Sequence, residues 1–272
     1  MPSVLLTGAT GLVGSRLLPR LAEAGVSCRA LLRRDMDLPP NTTSVRGDLE
    51  NPDSLPPALA GVDTVVHFAA FFRTEDEDAV WRANRDGTRN LIDAAEAHTP
   101  GVRFIMASTG NVYNADLTRP GREDDDCAPT AAYPASKLVA EQILRESPLN
   151  WSILRLPFVY GDGDGHLEQI PKMAPRFGLH PAHTYSVAHH RDIFTAVEIA
   201  MTGTMDGRIV NVCDDRPLSV YEMSEIAGDP IEGSAEPLAN PWSGRMDPSL
   251  AHQLGFRPTV PTIFEAQQQG LL

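Results

Sequence analysis

Thr7-Gly-Ala-Thr-Gly-Leu-Val-Gly14 places three glycines at intervals of three near the start of the chain. Glycine weakens helices and strands alike, so a spaced set of them answers a need of the backbone. Residues 3–6 before the stretch read as a short buried strand, and residues 12–21 after it carry apolar side chains at helical spacing. The glycines therefore fall at a strand-to-helix turn. Gly8 permits a tight turn, Gly11 lets a ligand approach the backbone, and Gly14 lets the helix pack near the sheet. The helix start then offers free N–H groups and the positive end of its dipole to a phosphate. The spacing is GxxGxxG, which departs from the dehydrogenase GxGxxG. A purely structural turn is the competing reading. The strand before it and the amphipathic helix after it favour nucleotide binding.

Outward from this turn, strands and helices alternate through the first two-thirds of the sequence. Strands are expected at 28–32, 43–49, 64–70, 102–108 and 151–156, with helices at 53–59, 79–98 and 135–145. Such alternation implies right-handed βαβ crossovers and an α/β, doubly wound, parallel-sheet Rossmann fold. Ligands in such sheets sit beyond the carboxyl ends of the strands. The glycine turn, Ala69-Ala70, Ser108-Thr109 and Pro157 all fall at those ends, so they should line one crevice. After Tyr160 the pattern changes. Gly161-Asp-Gly-Asp-Gly165 and several prolines mark loops, a helix is expected at 191–201 and a strand at 208–212. The expected division is a nucleotide-binding domain at 1–160 plus 189–212 and a small substrate-binding lobe at 161–188 plus 213–272.

A chain of 272 residues suffices for one large α/β unit with such an appendage. The net charge of -13 argues against a nucleic-acid or anionic-membrane partner, because both demand basic surface. The acidic runs at 75–78 and 123–126 read as solvated helix starts or loops, and the histidines show no metal-ligand spacing. No metal is expected. Cys28, Cys127 and Cys213 are scattered, which suits a reducing compartment without disulfides. With no leader pattern and no apolar run of membrane-spanning length, the expected location is cytoplasmic.

Tyr133-Pro-Ala-Ser-Lys137 carries the chemistry. Tyrosine and lysine four apart at a helix start project from one face, about one turn apart. A phenol near pKa 10 is a poor acid or base at neutral pH, and a nearby ammonium favours its phenolate. Pro134 suits the first helical turn, where a missing N–H costs nothing. Only two lysines occur in the chain, so this pairing is rarely met by chance. Ser108-Thr109 at the end of the preceding strand supplies a hydroxyl able to bind the oxygen that changes charge during hydride transfer.

These stretches occur together with Gly47-Asp-Leu49, His67-Phe-Ala-Ala70, Asn84-x-x-Gly-Thr-x-Asn90, Pro157-x-Val-Tyr-Gly161 and Leu254-Gly-Phe-x-Pro258. In this order they resemble the extended short-chain dehydrogenase/reductase superfamily, the NAD-dependent epimerase/dehydratase group, over nearly the whole chain. The resemblance implies that Gly8, Gly11 and Gly14, with Thr10, Leu12 and Val13 between them, hold the cofactor pyrophosphate. It places Asp48 and Leu49 at the adenine, with Phe68, Ala69, Ala70, Pro157 and Val159 also against the cofactor. It makes Tyr133 the acid/base, Lys137 the holder of the nicotinamide ribose that lowers the Tyr133 pKa, and Thr109 the partner of the reacting oxygen, with Ser108 as fallback. Asn84 is implied to support the lysine from the long helix.

Three departures from the group refine the expectation. Where NAD-using relatives carry an acidic residue at the Leu32 position, this chain follows with Arg33 and Arg34, which suits a 2′-phosphate. NADP is therefore favoured, and Asp35 keeps NAD possible. Gly110-Asn111 stands where sugar dehydratases carry an Asp-Glu pair, so 4,6-dehydration lacks its acid. The insertion between Tyr160 and His189 is short, leaving little protein to hold a nucleotide sugar. The leading expectation is an NAD(P)-dependent oxidoreductase acting on a small-molecule carbonyl/alcohol pair. A nucleotide-sugar epimerase with retained NAD and a non-catalytic NADP(H)-sensing protein are the alternatives. Relatives pair through the helices near 79–98 and 135–146, so a homodimer is expected.

Overall fold

The computed structural model describes residues 2–72 and 74–272. β1 (Ser3–Thr7) runs through the glycine turn into α1 (Gly14–Glu23), followed by β2 (Ser27–Leu32) and β3 (Thr42–Arg46). A short α2 (Pro56–Leu59) leads to β4 (Thr64–His67), then α3 (Glu77–Trp81) and α4 (Gly87–His98). β5 (Arg103–Thr109), α5 (Ala132–Glu146) and β6 (Asn150–Leu156) complete the first half. Next come β7 (Phe158–Tyr160), α6 (Ile170–Arg176), β8 (Thr184–Tyr185), β9 (Val187–His189), α7 (His190–Met201) and β10 (Arg208–Asn211). β11 (Leu218–Ser219), α8 (Val220–Ile226), α9 (Ser249–Gln253) and α10 (Ile263–Gln269) close the described chain.

Seven strands form one sheet in the order β3-β2-β1-β4-β5-β6-β10. Every pairing in it is parallel. Strand order reverses between β1 and β4, the point at which doubly wound sheets open a ligand crevice. Central parallel strands are covered on both faces and so read as continuous apolar runs. Val4 and Leu6 face the layer of α1 and α7, whereas Leu5 between them faces the layer of α2, α4 and α5. Leu17, Leu18 and Leu21 anchor α1 to its side of the sheet, each burial contributing about 1.5–3 kcal/mol.

The elements expected from the sequence are present, with three shifts that matter to the site. β3 ends at Arg46, not 49, because the Asp48 amide turns to donate to Ser54 Oγ at 2.9 Å. The helix expected over 79–98 starts at Glu77, with Asp76 Oδ1 accepting from the Ala79 amide at 2.9 Å. It is then broken by a π turn over Arg82–Asp86 that swings Asn84 out of the regular face. α5 begins at Ala132 instead of 135, so Tyr133 and Pro134 occupy its first turn.

Beyond the sheet, β7 pairs with β9 and β8 with β11. These ribbons, α6, α8 and α10 share an apolar cluster of their own, including Tyr160, Ile170, Val187, Leu218, Met223 and Ile263. The Gly161–Gly165 loop joins this lobe to α1. Arg20 pairs with Asp162 at 2.8 Å, while the Asp162 amide donates to the Leu271 carbonyl at 2.9 Å.

The glycines divide their labour as the turn requires. A Cβ on Gly14 would lie 2.1 Å from the Gly8 carbonyl oxygen, and one on Gly8, where φ is +75°, would lie 2.5 Å from the Ala69 amide nitrogen. At Gly11 the nearest atom would be 3.2 Å away. Gly14→Ala is therefore expected to lower unfolding free energy by about 1–3 kcal/mol, the usual cost of overpacking. Gly11→Ala should cost much less stability. Urea denaturation of the two variants checks this, and equal losses would contradict it.

Candidate active site

A cavity of about 1270 Å³ opens beyond the carboxyl ends of the central strands. It exceeds the roughly 300–1,000 Å³ of a pocket for one drug-sized ligand. Its floor is the glycine turn from Gly8 to Gly14, including Thr10, Leu12 and Val13. Among the described residues the Leu12 and Val13 amides make no hydrogen bond to protein, and they point from the α1 start. Such a glycine-rich floor with unbonded amides fits a dinucleotide pyrophosphate. Arg33 and Arg34, both exposed, stand at one end of the cavity beside Asp48 and Leu49. Phe68, Ala69 and Ala70 form the wall after β4, and Pro157 and Val159 the wall after β6.

Thr109, Tyr133 and Lys137 meet on the same cavity, as do Ser108 and Asn111. The two adjacent hydroxyls have different partners. Ser108 Oγ donates to Glu141 Oε1, deep in the protein. Thr109 Oγ1 accepts from the Asn111 amide at 3.2 Å, an interaction that leaves its own proton available. Met246 Sδ packs on Gly110 where a Cβ would lie only 2.4 Å away, so an acidic side chain there would displace it.

Glu141 and Arg155 are two site-supporting residues absent from the sequence reading. Glu141 lies one turn beyond Lys137 on α5, and its carboxylate takes a bidentate pair from Arg155 at 3.1 and 2.7 Å. Both side chains are almost fully buried. The spacing 133, 137, 141 was the available signal, since residues four apart share a helix face. Arg155, from β6, also sits 5.0 Å over the Tyr113 ring.

His67 forms a second buried brace. Its Nδ1 and Nε2 bond Thr7 Oγ1 at 2.7 Å and Thr88 Oγ1 at 2.9 Å. Thr88 spends its proton on the Asn84 carbonyl, so it accepts from Nε2–H, and Nδ1 accepts from Thr7. Burial, aided by the Lys137 charge, pushes the imidazole down to about 3, which keeps it neutral. Thr7 Oγ1 also accepts from the Ala69 amide at 3.2 Å, tying the ends of β1 and β4 together.

Asn84 lies on the long helix, in its π turn. It is fully buried behind the cavity wall, where its carboxamide takes the Phe71 amide at 2.8 Å. It donates to the Phe71 carbonyl at 2.9 Å and to Ser136 Oγ at 3.1 Å. Its contact is with the neighbours of Lys137 and the loop after β4. The π turn explains this, because the widened backbone aims the side chain across to α5.

Lys137 is 1 % exposed, and burial pushes its ammonium down from 10.5 to about 8 against the opposing pull of Glu141. Below pH 8 the folded protein carries a buried charge that the unfolded chain keeps in water. Between about 8 and 10.5 the folded state sheds that proton first, so stability rises with pH through this window. Lys137→Met should therefore be more stable than the parent by up to about 3 kcal/mol at neutral pH, with the gap closing above pH 8. Thermal unfolding across pH measures it. A variant less stable than the parent at neutral pH would refute the buried-charge account.

The sequence profile of the NAD dependent epimerase/dehydratase family matches residues 4–213. The chain is 28% identical over 265 residues to the ceramide reductase of Caulobacter vibrioides, covering 94% of this chain and 72% of that one. It is 34% identical over 169 residues to the N-acetyl-alpha-D-glucosaminyl-diphospho-ditrans,octacis-undecaprenol 4-epimerase of Escherichia coli O157:H7, covering 59% of this chain and 50% of that one. A short-chain dehydrogenase/reductase superfamily protein from Agrobacterium tumefaciens, solved with bound NAD, superposes with a TM-score of 0.81 at 23% identity, covering 98% and 95% of the two chains. The profile match spans most of the chain, and the chain belongs to the NAD-dependent epimerase/dehydratase family of oxidoreductases.

Proposed function

We propose that this enzyme is a cofactor-releasing reductase/dehydrogenase that favours NADP(H), with NAD(H) possible, and acts on a small-molecule carbonyl/alcohol pair. The lobe at 161–188 plus 213–272 covers the substrate, and the nucleotide-binding domain is 1–160 plus 189–212. The observation that carries the reading is the division between the two hydroxyls: Ser108 is bound by Glu141, while Thr109 keeps a proton to donate beside Tyr133 and Lys137.

When bound, the nicotinamide supplies or takes up the hydride. In the reducing direction, Thr109 donates a hydrogen bond to the substrate oxygen and Tyr133 delivers its proton to that oxygen as it gains charge. Lys137 binds the ribose and keeps a positive charge beside the developing anion. The walls after β4 and β6 exclude water from the reacting carbon. The meeting of Tyr133, Lys137 and Thr109 on one cavity argues against a non-catalytic sensor, which has no use for it. We further read the enzyme as a cytoplasmic homodimer joined through α4 and α5, where Leu138 and Val139 remain half-buried in the single chain. Light scattering at micromolar concentration checks the mass.

Tyr133→Phe is expected to leave cofactor affinity nearly intact and to lower turnover by about 10²–10⁴-fold, the range of general acid–base contributions. Retention of most activity would remove Tyr133 from this role. Arg33 lines the cavity with no carboxylate partner among the described residues. If it meets the 2′-phosphate, Arg33→Ala weakens NADPH by about ten- to a hundredfold while NADH is nearly unchanged. Titration of parent and variant with both cofactors decides. Equal losses, or a parent that prefers NADH, would return the reading to NAD.

A further inference from the structure

The cavity is larger than the cofactor cradle, and its far half has a different chemistry. The cofactor half carries the charges, including Arg33, Arg34, Asp48 and Lys137. The far wall is formed by Phe158 at the end of the nucleotide-binding domain and by His166, Ile170, Met173, Leu179 and Tyr185 of the lobe, with no Lys, Arg, Asp or Glu among the described lining residues of this wall. The opposite side carries Phe71 and Phe72, which are 44% and 40% exposed.

This wall is built rigidly. Ile170 belongs to the lobe's own core, and Phe158, Leu179 and Tyr185 pack against that core. His166 stacks on Phe158 at 4.0 Å between ring centroids, and its Nδ1–H donates to the Val159 carbonyl at 2.7 Å, so the imidazole lies flat in the wall. Ile170 and Met173 are one turn apart on α6, and Phe177 follows Met173 by four residues at the C-terminal end of that helix. Phe177 is 59% exposed, the most exposed large apolar side chain described. Ile170 and Met173 thus continue the apolar lining along α6, while Phe177, outside the cavity lining, carries the Arg176 guanidinium 5.5 Å over its ring. Large exposed apolar side chains gathered at a cavity mouth mark a ligand-binding surface.

We infer that the far half of the cavity takes a long, uncharged hydrocarbon chain attached to the reacting carbonyl or alcohol carbon. The inference rests on the reductase reading for its chemistry, and on the lobe wall for its shape. A nucleotide diphosphate would bring negative charge to a wall whose described lining residues include no Lys or Arg, in a chain of net charge -13, whereas a hydrocarbon chain gains with each methylene it buries.

Binding and turnover are separated by titrating a series from 1-hexanol to 1-decanol calorimetrically into the enzyme saturated with NADP+. Each added methylene should tighten binding about three- to fourfold until the chain reaches the rim. Met173→Gln, confirmed folded by its unfolding midpoint, should flatten that gain. Affinity independent of chain length, or UDP-glucose binding more tightly than 1-decanol, would overturn the inference. Chain-length-dependent binding without any NADPH formation would support the hydrocarbon site and count against the reductase reading instead.

Discussion

The structure depends on a backbone-to-backbone contact at the end of β1. Gly14 at the start of α1 sits against the Gly8 carbonyl, and Gly8 in turn sits against the Ala69 amide after β4. No Cβ fits at either point, so the helix start is drawn onto the seam where the sheet's strand order reverses. Thr7 and His67 lock the two strand ends from below with hydrogen bonds that require a neutral imidazole. The amide-lined floor and the wall of Phe68 to Ala70 follow from that seam. Every other site residue is placed relative to it.

Across the crevice, the cavity is lined by a residue whose burial the fold does not favour. Burying the Lys137 ammonium opposes folding, and the nearby Glu141 carboxylate offsets only part of that penalty. Glu141 cannot be spared for this alone, because it also satisfies the Arg155 guanidinium and takes the Ser108 proton. One buried carboxylate therefore links α5, β5 and β6, and it occupies Ser108 while Thr109 keeps its proton. This is the usual form of conflict between stability and activity: a local cost held in place by surrounding structure.

The lobe solves a separate problem. Its apolar cluster is distinct from the two that flank the sheet, so its wall of Ile170, Leu179 and Tyr185 is held by its own packing. The loop of glycines at 161–165 connects it to α1 through Arg20 and Asp162. The glycine turn and the lobe wall thus meet at one cavity while being built from different cores. A family with one cofactor chemistry can then vary substrates through the lobe without disturbing the glycine turn.

Much of this was legible in the linear chain. The glycine spacing, the alternation of apolar runs with helical periodicity, and the Tyr133–Lys137 interval are local patterns, and local backbone geometry translates each directly into a turn, a layer or a shared helix face. What tertiary structure alone decided involves residues distant in sequence. The π turn redirects Asn84 to Phe71 and Ser136, a shift no local periodicity encodes. Glu141 engages Ser108 because β5, β6 and α5 converge on it from positions 108, 141 and 155. The cavity brings Phe71 together with Leu179 and Tyr185, more than a hundred positions apart. Hydrogen-bond partners and cavity walls are set by which elements pack together, and long-range packing is specified by the whole core at once, not by any stretch that can be read alone.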